Sequence, residues 1–447
     1  MTQTLSPADA VGFLIAHAKK CGADAAESRG VNSISVSAGC RFGKTESLEQ
    51  SQAAAVDLRV FVGHRQAVVA SSVLDTETLS GLAERAVEMA KVVPEDPYCG
   101  LADPSEQART FADLDLCDPA DRSTDELLTA ALKAEDAALS VAGVTNSNGA
   151  EAAFDRSFGT IASTTGFSRR FERSSCGFSV SVVAGTDEKE TDYDYSSAVY
   201  FSDLDAPENI GRNAAERAVR RLGAKKIESE TMDVVFEPRL SRGFVGTLTD
   251  AINGAAIARG TSFLKDALNT AILPETLSVV ERPFLTRGHA SRTCDAEGLP
   301  TSERALVDKG VLTTWLLDLR SARQLGLKPT GHASRGLGGT PHPTPSNLIL
   351  EGGSVSPDDL IADIRRGLYV TNLFGQGVDL ITGDYSRGAS GFLIENGRLT
   401  TPVSEVTVAG NLREMFKTMT AANDLSARRH AVNAPTVRIA AMSVAGK

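Results

Sequence analysis

Residues 241–260 read SRGFVGTLTDAINGAAIARG and have the spacing of an amphipathic helix. Apolar side chains recur there at intervals of three and four residues, so they share one face; they are Phe244, Leu248, Ala251, Ile252 and Ala255. The opposite face carries Thr247, Asp250 and Asn253, without histidine, cysteine or glutamate. Glycines at 243, 246 and 254 would each cost a helix about 1 kcal/mol relative to alanine. The sequence therefore predicts a single glycine-rich helix that offers little catalytic chemistry.

The segments around this helix alternate between helical and strand-like spacing. Predicted helices cover 7–20, 76–91, 123–139 and about 207–222, and predicted strands cover 33–39, 53–63, 65–72 and 232–238. Strand-like alternation dominates 143–202, and 270–447 is rich in short strands and glycine turns, with small helices near 357–366 and 411–418.

This order of elements predicts the α+β class. We expect an N-terminal α/β-type domain with a mixed sheet and helices, followed by a largely β C-terminal domain with short helices. The predicted domains are 1–106, a middle α+β segment with β hairpins at 107–230, and 231–447.

Composition bears on whether the protein binds nucleic acid or crosses a membrane, and on the cellular compartment expected for it. The chain has 447 residues, of which 42% are apolar, so two or three domains of about 150 residues can each bury a core. Its formal charge of −11 argues against nucleic-acid binding, because phosphate contacts need clustered cations. No run approaches the roughly 18 apolar residues of a membrane span. The N-terminus has no basic leader and the six scattered cysteines form no CxxC pair, so we expect reduced thiols in the cytoplasm.

A phosphate-binding loop is nearly present in the sequence, and a serine nucleophile elbow is absent from it. Residues 39–45 (GCRFGKT) end like a phosphate-binding loop, but three residues separate the glycines where that loop needs four. We therefore expect a turn between two strands. No GxSxG nucleophile elbow occurs; the nearest serine, Ser390, is expected in a turn beside a strand.

The six histidines offer only loose sets of metal ligands. None is followed by glutamate, so neither HExxH nor HExxxH occurs. The closest sets are His289 and Cys294 beside Asp295 and Glu297, and His332 with His342. Loops of this kind lack the rigid geometry of two ligands on one helix. Polar structural roles are the favoured interpretation, and a loop metal site stays open.

Residues 372–397 (NLFGQGVDLITGDYSRGASGFLIENG) combine apolar side chains with six glycines. The pattern indicates tightly turning strands whose backbones approach a neighbour closely. A plain β core is one interpretation, and a groove wall that binds an extended peptide through main-chain hydrogen bonds is the other. If substrate lies along this chain, the predicted contacts are Gly383, Asp384, Tyr385, Ser386 and Gly388, with His332 and Asn347 as second choices.

With these segments in view, the chain resembles the TldD/PmbA family over close to its full length, and the PmbA (TldE) branch more than the TldD branch. The most specific matches are 58–70, 241–263, 294–301, 372–397 and 420–437. Members have been called modulators of DNA gyrase, and their pairs form a cytoplasmic metallopeptidase. In TldD-type relatives, the helix before a shared Arg-Gly-Thr-Ser carries HExxxH, which supplies two zinc ligands and a glutamate that can activate water.

The resemblance implies that this chain lacks the zinc site of its relatives. Aligning the shared motif at 259–262 puts Val245, Gly246 and Asp250 at the HExxxH positions. TldD-type relatives also take a cysteine ligand from near the C-terminus, whereas the last cysteine here is Cys294. We therefore predict no catalytic and no metal-binding residue in this chain. The role left for the helix is packing, with Gly246 and Gly254 permitting close approach of a neighbour.

By the same resemblance, the chain is a non-catalytic subunit of a heteromeric metallopeptidase. It would need no cofactor of its own, because a TldD-like partner would hold the zinc in a heterodimer. The substrates would be unfolded peptides, including antitoxins and a microcin precursor, and the gyrase link would be indirect. Two alternatives stay open. One is a stand-alone homodimeric peptide-binding or scaffold protein without proteolytic activity. The other is an autonomous hydrolase with a serine nucleophile or a loop metal site at His289, His332 and His342.

Overall fold

The first half of the chain builds an antiparallel sheet. The structure, a computed structural model, describes residues 3–425 and 430–446, so part of the 420–437 segment lies outside the described residues. Up to residue 220 the elements are α1 (Pro7–Lys20), β1 (Ala25–Arg41), β2 (Lys44–Val62), β3 (Arg65–Ser71), α2 (Thr76–Val92), α3 (Thr124–Leu139), β4 (Val144–Ser163), β5 (Ser168–Ala184), β6 (Glu190–Ala198) and α4 (Pro207–Arg220). The strand order is β3-β2-β1-β4-β5-β6, with antiparallel pairing throughout.

All four of these helices lie on one face of the sheet. Successive residues of a strand point to opposite faces, and β1 uses its even positions to contact the helices. Ala26 packs in the core formed with α1 and α2, whereas Ala38 and Cys40 pack with α3 and α4. Gly30 lets α1 come close, because a Cβ there would lie 2.3 Å from the carbonyl oxygen of Pro7. The odd-numbered face of the sheet is left for other parts of the chain.

The second half is mainly β. Its elements are β7 (Glu230–Phe236), α5 (Pro238–Ala251), α6 (Gly254–Arg259), β8 (Ser278–Glu281), β9 (Arg304–Asp308), β10 (Val311–Leu312), α7 (Leu319–Leu325), β11 (Ala333–Ser334), β12 (His342–Pro343), β13 (Leu348–Glu351), α8 (Pro357–Ile361), β14 (Arg366–Phe374), β15 (Asp384–Glu395), β16 (Arg398–Asn411), α9 (Leu412–Lys417), β17 (Met419–Ala421), β18 (Val432–Asn433) and β19 (Val437–Ala445).

These strands form a small closed barrel and a second sheet. The row β16-β15-β14-β7-β19 closes because β19 pairs back onto β16, and β17 extends β19. The second sheet has the order β10-β9-β8-β13-β18. Helix α5 packs its apolar face on the barrel, where the ring of Phe244 lies 4.9 Å from that of Phe236 and 5.7 Å from that of Tyr385.

The predicted α+β class is confirmed, and the first four predicted helices correspond to α1–α4. The single helix predicted over 241–260 is wrong, because α5 ends at Ala251 and α6 begins at Gly254. Between them Asn253 has an extended backbone and caps α6 by accepting a hydrogen bond from the N–H of Ala255. The break brings Gly254 against Leu316, whose carbonyl oxygen accepts from the Gly254 N–H at 2.8 Å.

Short helices were the other source of error. Helix α7 was not predicted, although Asp318 and Ser321 form a capping box at its start. The helix predicted near 357–366 ends at Ile361. Helices of five to seven residues contain too few periodic positions to stand out from their surroundings.

The turn expected within residues 39–45 is confirmed. Phe42 and Gly43 connect β1 to β2 with positive φ angles of 51° and 68°, as a tight hairpin turn requires. The buried carboxylate of Glu135 accepts hydrogen bonds from both backbone N–H groups, at 2.9 and 2.8 Å. A carboxylate of the protein therefore binds the amides that a phosphate would need.

The domain boundaries at 1–106, 107–230 and 231–447 stay a prediction. Because β1 pairs with β4, the first sheet draws strands from both of the first two segments. Among the described residues, none of the helices has the length and apolar character needed to cross a bilayer.

Candidate functional site

The helix-free face of the first sheet and loops of the C-terminal part enclose a cavity of about 870 Å³. Strands β1, β4 and β5 contribute one wall, and the loops at 111–117, 290–296, 333–335 and 344–345 contribute the rest. A concave site of this size suits a small ligand or a peptide segment. It is the candidate functional site of the molecule.

Strand register explains which side chains reach the cavity. Arg29 of β1 pairs with Ile161 of β4, which pairs in turn with Arg169 of β5. Positions two residues apart on a strand share a face, so Phe171 and Arg173 point to the same side as Arg169. All five side chains line the cavity.

Arginines dominate the charge of this cavity. Those that line it are Arg29, Arg169, Arg170, Arg173, Arg292 and Arg335. Of these, only Arg335 lies within ion-pair distance of a carboxylate among the described residues. Burial lowers the pKa of Arg29, Arg173 and Arg292, because a cation removed from water loses hydration. Among the described residues, the cavity therefore holds buried guanidinium groups without a directly paired carboxylate.

Main-chain carbonyls orient several of these guanidinium groups. Arg29 donates from Nη1 to the carbonyl oxygen of Arg335 at 2.6 Å, and Arg173 donates from Nη1 to that of His289 at 2.6 Å. Arg292 makes a bond of the same kind to a neighbouring loop. A carbonyl fixes the direction of a guanidinium group but leaves its full charge in place.

Arg335 joins the C-terminal part to the first sheet. Its guanidinium group pairs with Glu27 at 2.5 Å and with Asp57, and Glu27 also pairs with Arg59 at 2.9 Å. None of these four side chains is more than 5% exposed. The N–H of Gly338 donates to Asp57 at 2.9 Å. We call Glu27, Asp57, Arg59 and Arg335 the bridging network, and it fixes one rim of the cavity.

Two buried carboxyl groups lie behind the cavity wall. Burial raises the pKa of both Asp295 and Glu297, and the charge of Asp295 raises that of Glu297 further. Glu297 accepts a hydrogen bond from the N–H of Leu319 at 2.8 Å, at the start of α7. Burial therefore shifts the protonation of Glu297 toward its neutral form.

The predicted second-choice contacts, His332 and Asn347, are buried and fully bonded. His332 Nε2 lies 2.8 Å from Glu281 Oε2, and its Nδ1 lies 2.7 Å from the hydroxyl of Thr330. Burial lowers the pKa of His332. Burial alone would raise the pKa of Glu281, but the hydrogen bond from His332 outweighs it, so the pKa of Glu281 is lowered. Asn347 accepts from the N–H of Ala290 at 2.9 Å. Both side chains position loops of the cavity wall, and direct substrate contact stays a prediction.

The first-choice contacts come together at the start of β15. Gly383 has a left-handed backbone (φ 86°) just before the strand, and Tyr385 is buried in the barrel core. Gly388 lies under an aromatic ring of β14, so a Cβ there would overlap that ring. Asp384 and Ser386 keep their side chains exposed.

The main chain of this segment is paired on both sides. Residues 384–388 pair with 407–411 of β16, and on the other side the N–H of Ser386 donates to the carbonyl oxygen of Gly377 at 2.7 Å. An added peptide strand would find no free edge here. Contact through the exposed side chains stays a prediction. Ser390, expected in a turn, lies instead within β15 and is 5% exposed.

The three positions aligned with HExxxH lie in α5. Val245 is 2% exposed and packs in the core, Gly246 is half-buried, and Asp250 is exposed. A Cβ on Gly246 would meet nothing within 4 Å, whereas one on Gly254 would lie 2.6 Å from the carbonyl oxygen of Leu316. The prediction that both glycines permit a close neighbour is right for Gly254 and wrong for Gly246.

Several of the potential metal ligands in the loops have structural partners. Asp295 accepts from the N–H of Glu297 at 2.9 Å, and the Cys294 sulfur accepts from Arg169. Within residues 3–425 and 430–446, one trio of His, Cys, Asp or Glu has its donor atoms within 4.8 Å of one another: His17, Cys21 and Glu84. That trio lies on α1 and α2, on the helix side of the sheet.

Comparison with known proteins places the chain in a family. Models of the PmbA/TldA metallopeptidase match its domain 1 at 26–90, its central domain at 117–222 and its C-terminal domain at 229–446. The chain belongs to the PmbA/TldD metallopeptidase family.

Individual relatives agree with the predicted branch. Metalloprotease PmbA from Escherichia coli O157:H7 is 36% identical, over 99% of this chain and 96% of that protein. A crystal structure from Bacteroides thetaiotaomicron, described as that of a candidate modulator of DNA gyrase, has a TM-score of 0.90 at 28% identity and covers 98% of each chain. TldE from Thermococcus kodakarensis shares the fold, with a TM-score of 0.83 at 20% identity over 98% of this chain and 100% of that one.

Sequence reasoning missed the arginines of this PmbA/TldD family member. A signal was present, because the pentapeptide GHASR occurs twice, at 288–292 and at 331–335. Its terminal arginines, Arg292 and Arg335, both line the cavity. The repeat was therefore a signal that these two distant loops could contribute to one site. The sequence prediction used the histidines of the repeat and left out its arginines.

Proposed function

We propose that this chain is the non-catalytic, zinc-lacking subunit of a heteromeric TldD/TldE-type metallopeptidase in the cytoplasm. A TldD-like partner would supply the zinc and the glutamate that activates water. This chain would supply one wall of a chamber that admits unfolded peptides. The proposal is supported by α5, where Val245, a core residue, and Gly246 stand at the positions that the alignment on the motif at 259–262 matches with the first zinc ligand and the glutamate. Neither side chain can bind zinc or accept a proton.

The cavity supports a role in holding peptides. Its walls combine the aromatic rings of Phe111, Phe167 and Phe171 with charged hydrogen-bond donors, a mixture typical of ligand sites. A chamber entered only by flexible chains would exclude folded proteins, so antitoxin-like proteins and precursor peptides are the expected substrates. Asp384 and Ser386, exposed at the start of β15, are proposed as further peptide contacts.

Peptidase assays on an unfolded protein substrate test the proposal. The chain alone should be inactive, and an equimolar mixture with a TldD-like protein should exceed the activity of that partner alone. The matched control is a partner in which the motif glutamate is replaced by glutamine, which should leave the mixture inactive. Chelator-sensitive activity of the isolated chain would contradict the proposal.

Size-exclusion chromatography separates the alternative of a stand-alone homodimer. The proposed function requires that the chain and the TldD-like protein elute together. A homodimer that binds peptides but takes up no partner would favour the scaffold alternative instead.

A further inference from the structure

We propose that the cavity binds the carboxylates of acidic peptide segments through Arg29, Arg169, Arg173 and Arg292. The inference rests on the proposed peptide-binding function and adds the class of peptide that the cavity selects. We call these four residues the arginine cluster.

In the described part of the chain, the guanidinium groups of the arginine cluster carry charge without a paired carboxylate. Within the described residues, no carboxylate lies within 4 Å of a guanidinium nitrogen of the arginine cluster, although Asp57 accepts a hydrogen bond from the backbone N–H of Arg29 at 3.0 Å. The cluster is held instead by main-chain carbonyls and by the sulfur of Cys294. The Nε atoms of Arg29 and Arg292 are buried without any hydrogen-bond partner. Buried cations and donors left in this state are unfavourable, and a ligand carboxylate would relieve both deficits.

The carboxylates that line the cavity bond to other groups or are exposed, and among the described residues none forms an ion pair with the cluster. Asp115 accepts from Arg287 at 2.6 Å and from the hydroxyl of Tyr200. Asp295 is enclosed by backbone N–H groups. Asp113 and Glu172 are exposed. Among the described residues, no carboxylate therefore forms an ion pair with the arginine cluster, and a ligand carboxylate can.

The surroundings favour a peptide carboxylate over a nucleic acid. Arg29 lies over the ring of Phe171 at 4.9 Å, and Arg169 lies over that of Phe111 at 4.6 Å. Guanidinium groups thus occupy ring faces on which unpaired bases would stack. The planar fork of a guanidinium group also matches both oxygens of a carboxylate. With a net charge of −11, the rest of the protein repels a long phosphate backbone.

A binding experiment on the full chain tests the inference. Two fluorescent flexible peptides of equal length are compared, one alternating Glu with Ser and the other alternating Gln with Ser. We expect the Glu peptide to bind about tenfold tighter or better, and the difference to shrink as salt is added. The double variant R169Q/R173Q should lose the preference, and R169K/R173K should keep most of it. R365Q, at an exposed arginine outside the cavity, is the matched control and should bind as the unmodified chain does.

The outcomes distinguish carboxylate selection by the cavity from peptide binding in general. Equal binding of both peptides, unaffected by the variants, would overturn the carboxylate inference while leaving peptide binding intact. Binding of neither peptide would overturn both. Binding of inorganic phosphate or of a single-stranded oligonucleotide, without binding of the Glu peptide, would also overturn the inference. Arg173 donates to two carbonyls of the rim. If the double variant unfolds, R169Q alone replaces it, because Arg169 gives up only its contacts with the Cys294 thiol and the Phe111 ring.

Discussion

At the scale of single residues, the bridging network places buried charges that are stable only when each is paired. Two carboxylates, Glu27 and Asp57, are buried on the first sheet. Their ion-pair partner Arg335 lies on a distant loop, 308 residues after Glu27 in the chain. Such a network contributes little beyond an apolar packing when complete, but removing one partner leaves an uncompensated buried charge. Arg335 therefore forms a buried electrostatic link between the two halves of the chain.

We predict that Arg335→Ala destabilises the protein by about 3–5 kcal/mol, because Glu27 would keep only Arg59 as an ion-pair partner and Asp57 would keep none among the described residues. Denaturant unfolding followed by circular dichroism measures the change. Arg365→Ala removes an exposed arginine and should change the free energy of unfolding by no more than about 0.5 kcal/mol. Equal effects of the two substitutions would show that the network does not hold the halves together.

A pH-dependent prediction concerns Glu297. Burial raises the pKa of Glu297 in the folded protein. The contribution of this side chain to the free energy of unfolding is therefore fully present below the unfolded pKa of about 4.3. That contribution is lost as the pH rises through the folded pKa. Glu297→Gln keeps the neutral shape and can still accept the bond from Leu319. The stability of the variant relative to the unmodified chain should therefore increase from about pH 4 upward.

Urea unfolding at a series of pH values checks this sign. The matched control is Glu275→Gln, at an exposed position, whose difference from the unmodified chain should not follow this trend. A relative stability of Glu297→Gln that stays constant or falls with rising pH would show that Glu297 is ionised in the folded protein.

At the scale of elements, α5 and α6 show where sequence periodicity is informative and where it fails. Apolar spacing correctly identified the buried face of α5, including Phe244 and Leu248. It could not reveal the break at Asn253, because the spacing continues through it. The break depends on Leu316, which lies far away in sequence and bonds to Gly254. Local patterns carry no information about such a contact.

The two glycines of this region give a matched pair of substitutions. Gly246→Ala should stabilise the chain by about 0.5–1 kcal/mol, because the new methyl group enters open space and alanine favours a helix. Gly254→Ala should destabilise it by about 1–3 kcal/mol, because the methyl group would overlap the Leu316 carbonyl. Thermal and denaturant unfolding measure both. Destabilisation by Gly246→Ala would mean that a neighbour does approach this glycine.

At the scale of the whole molecule, the elements were more predictable than the site. Alternation and periodicity are local, so the long strands and helices of the first half could be predicted from residues next to each other. The cavity is assembled from β1, β5 and loops near 292 and 335, and no local pattern specifies that meeting. The predicted histidines and glycines were conspicuous as residue types, whereas the arginines of the cavity were not.

The missing zinc ligands of α5 are the basis of the proposed function, and the metal content of the isolated chain tests this most directly. The purified chain, carrying Cys21→Ala to remove the His17–Cys21–Glu84 trio, is incubated with zinc, gel-filtered and assayed by plasma mass spectrometry and for peptide hydrolysis. We predict that it retains no zinc and cleaves no peptide. One zinc ion retained per chain, together with hydrolysis that a chelator abolishes, would contradict the account.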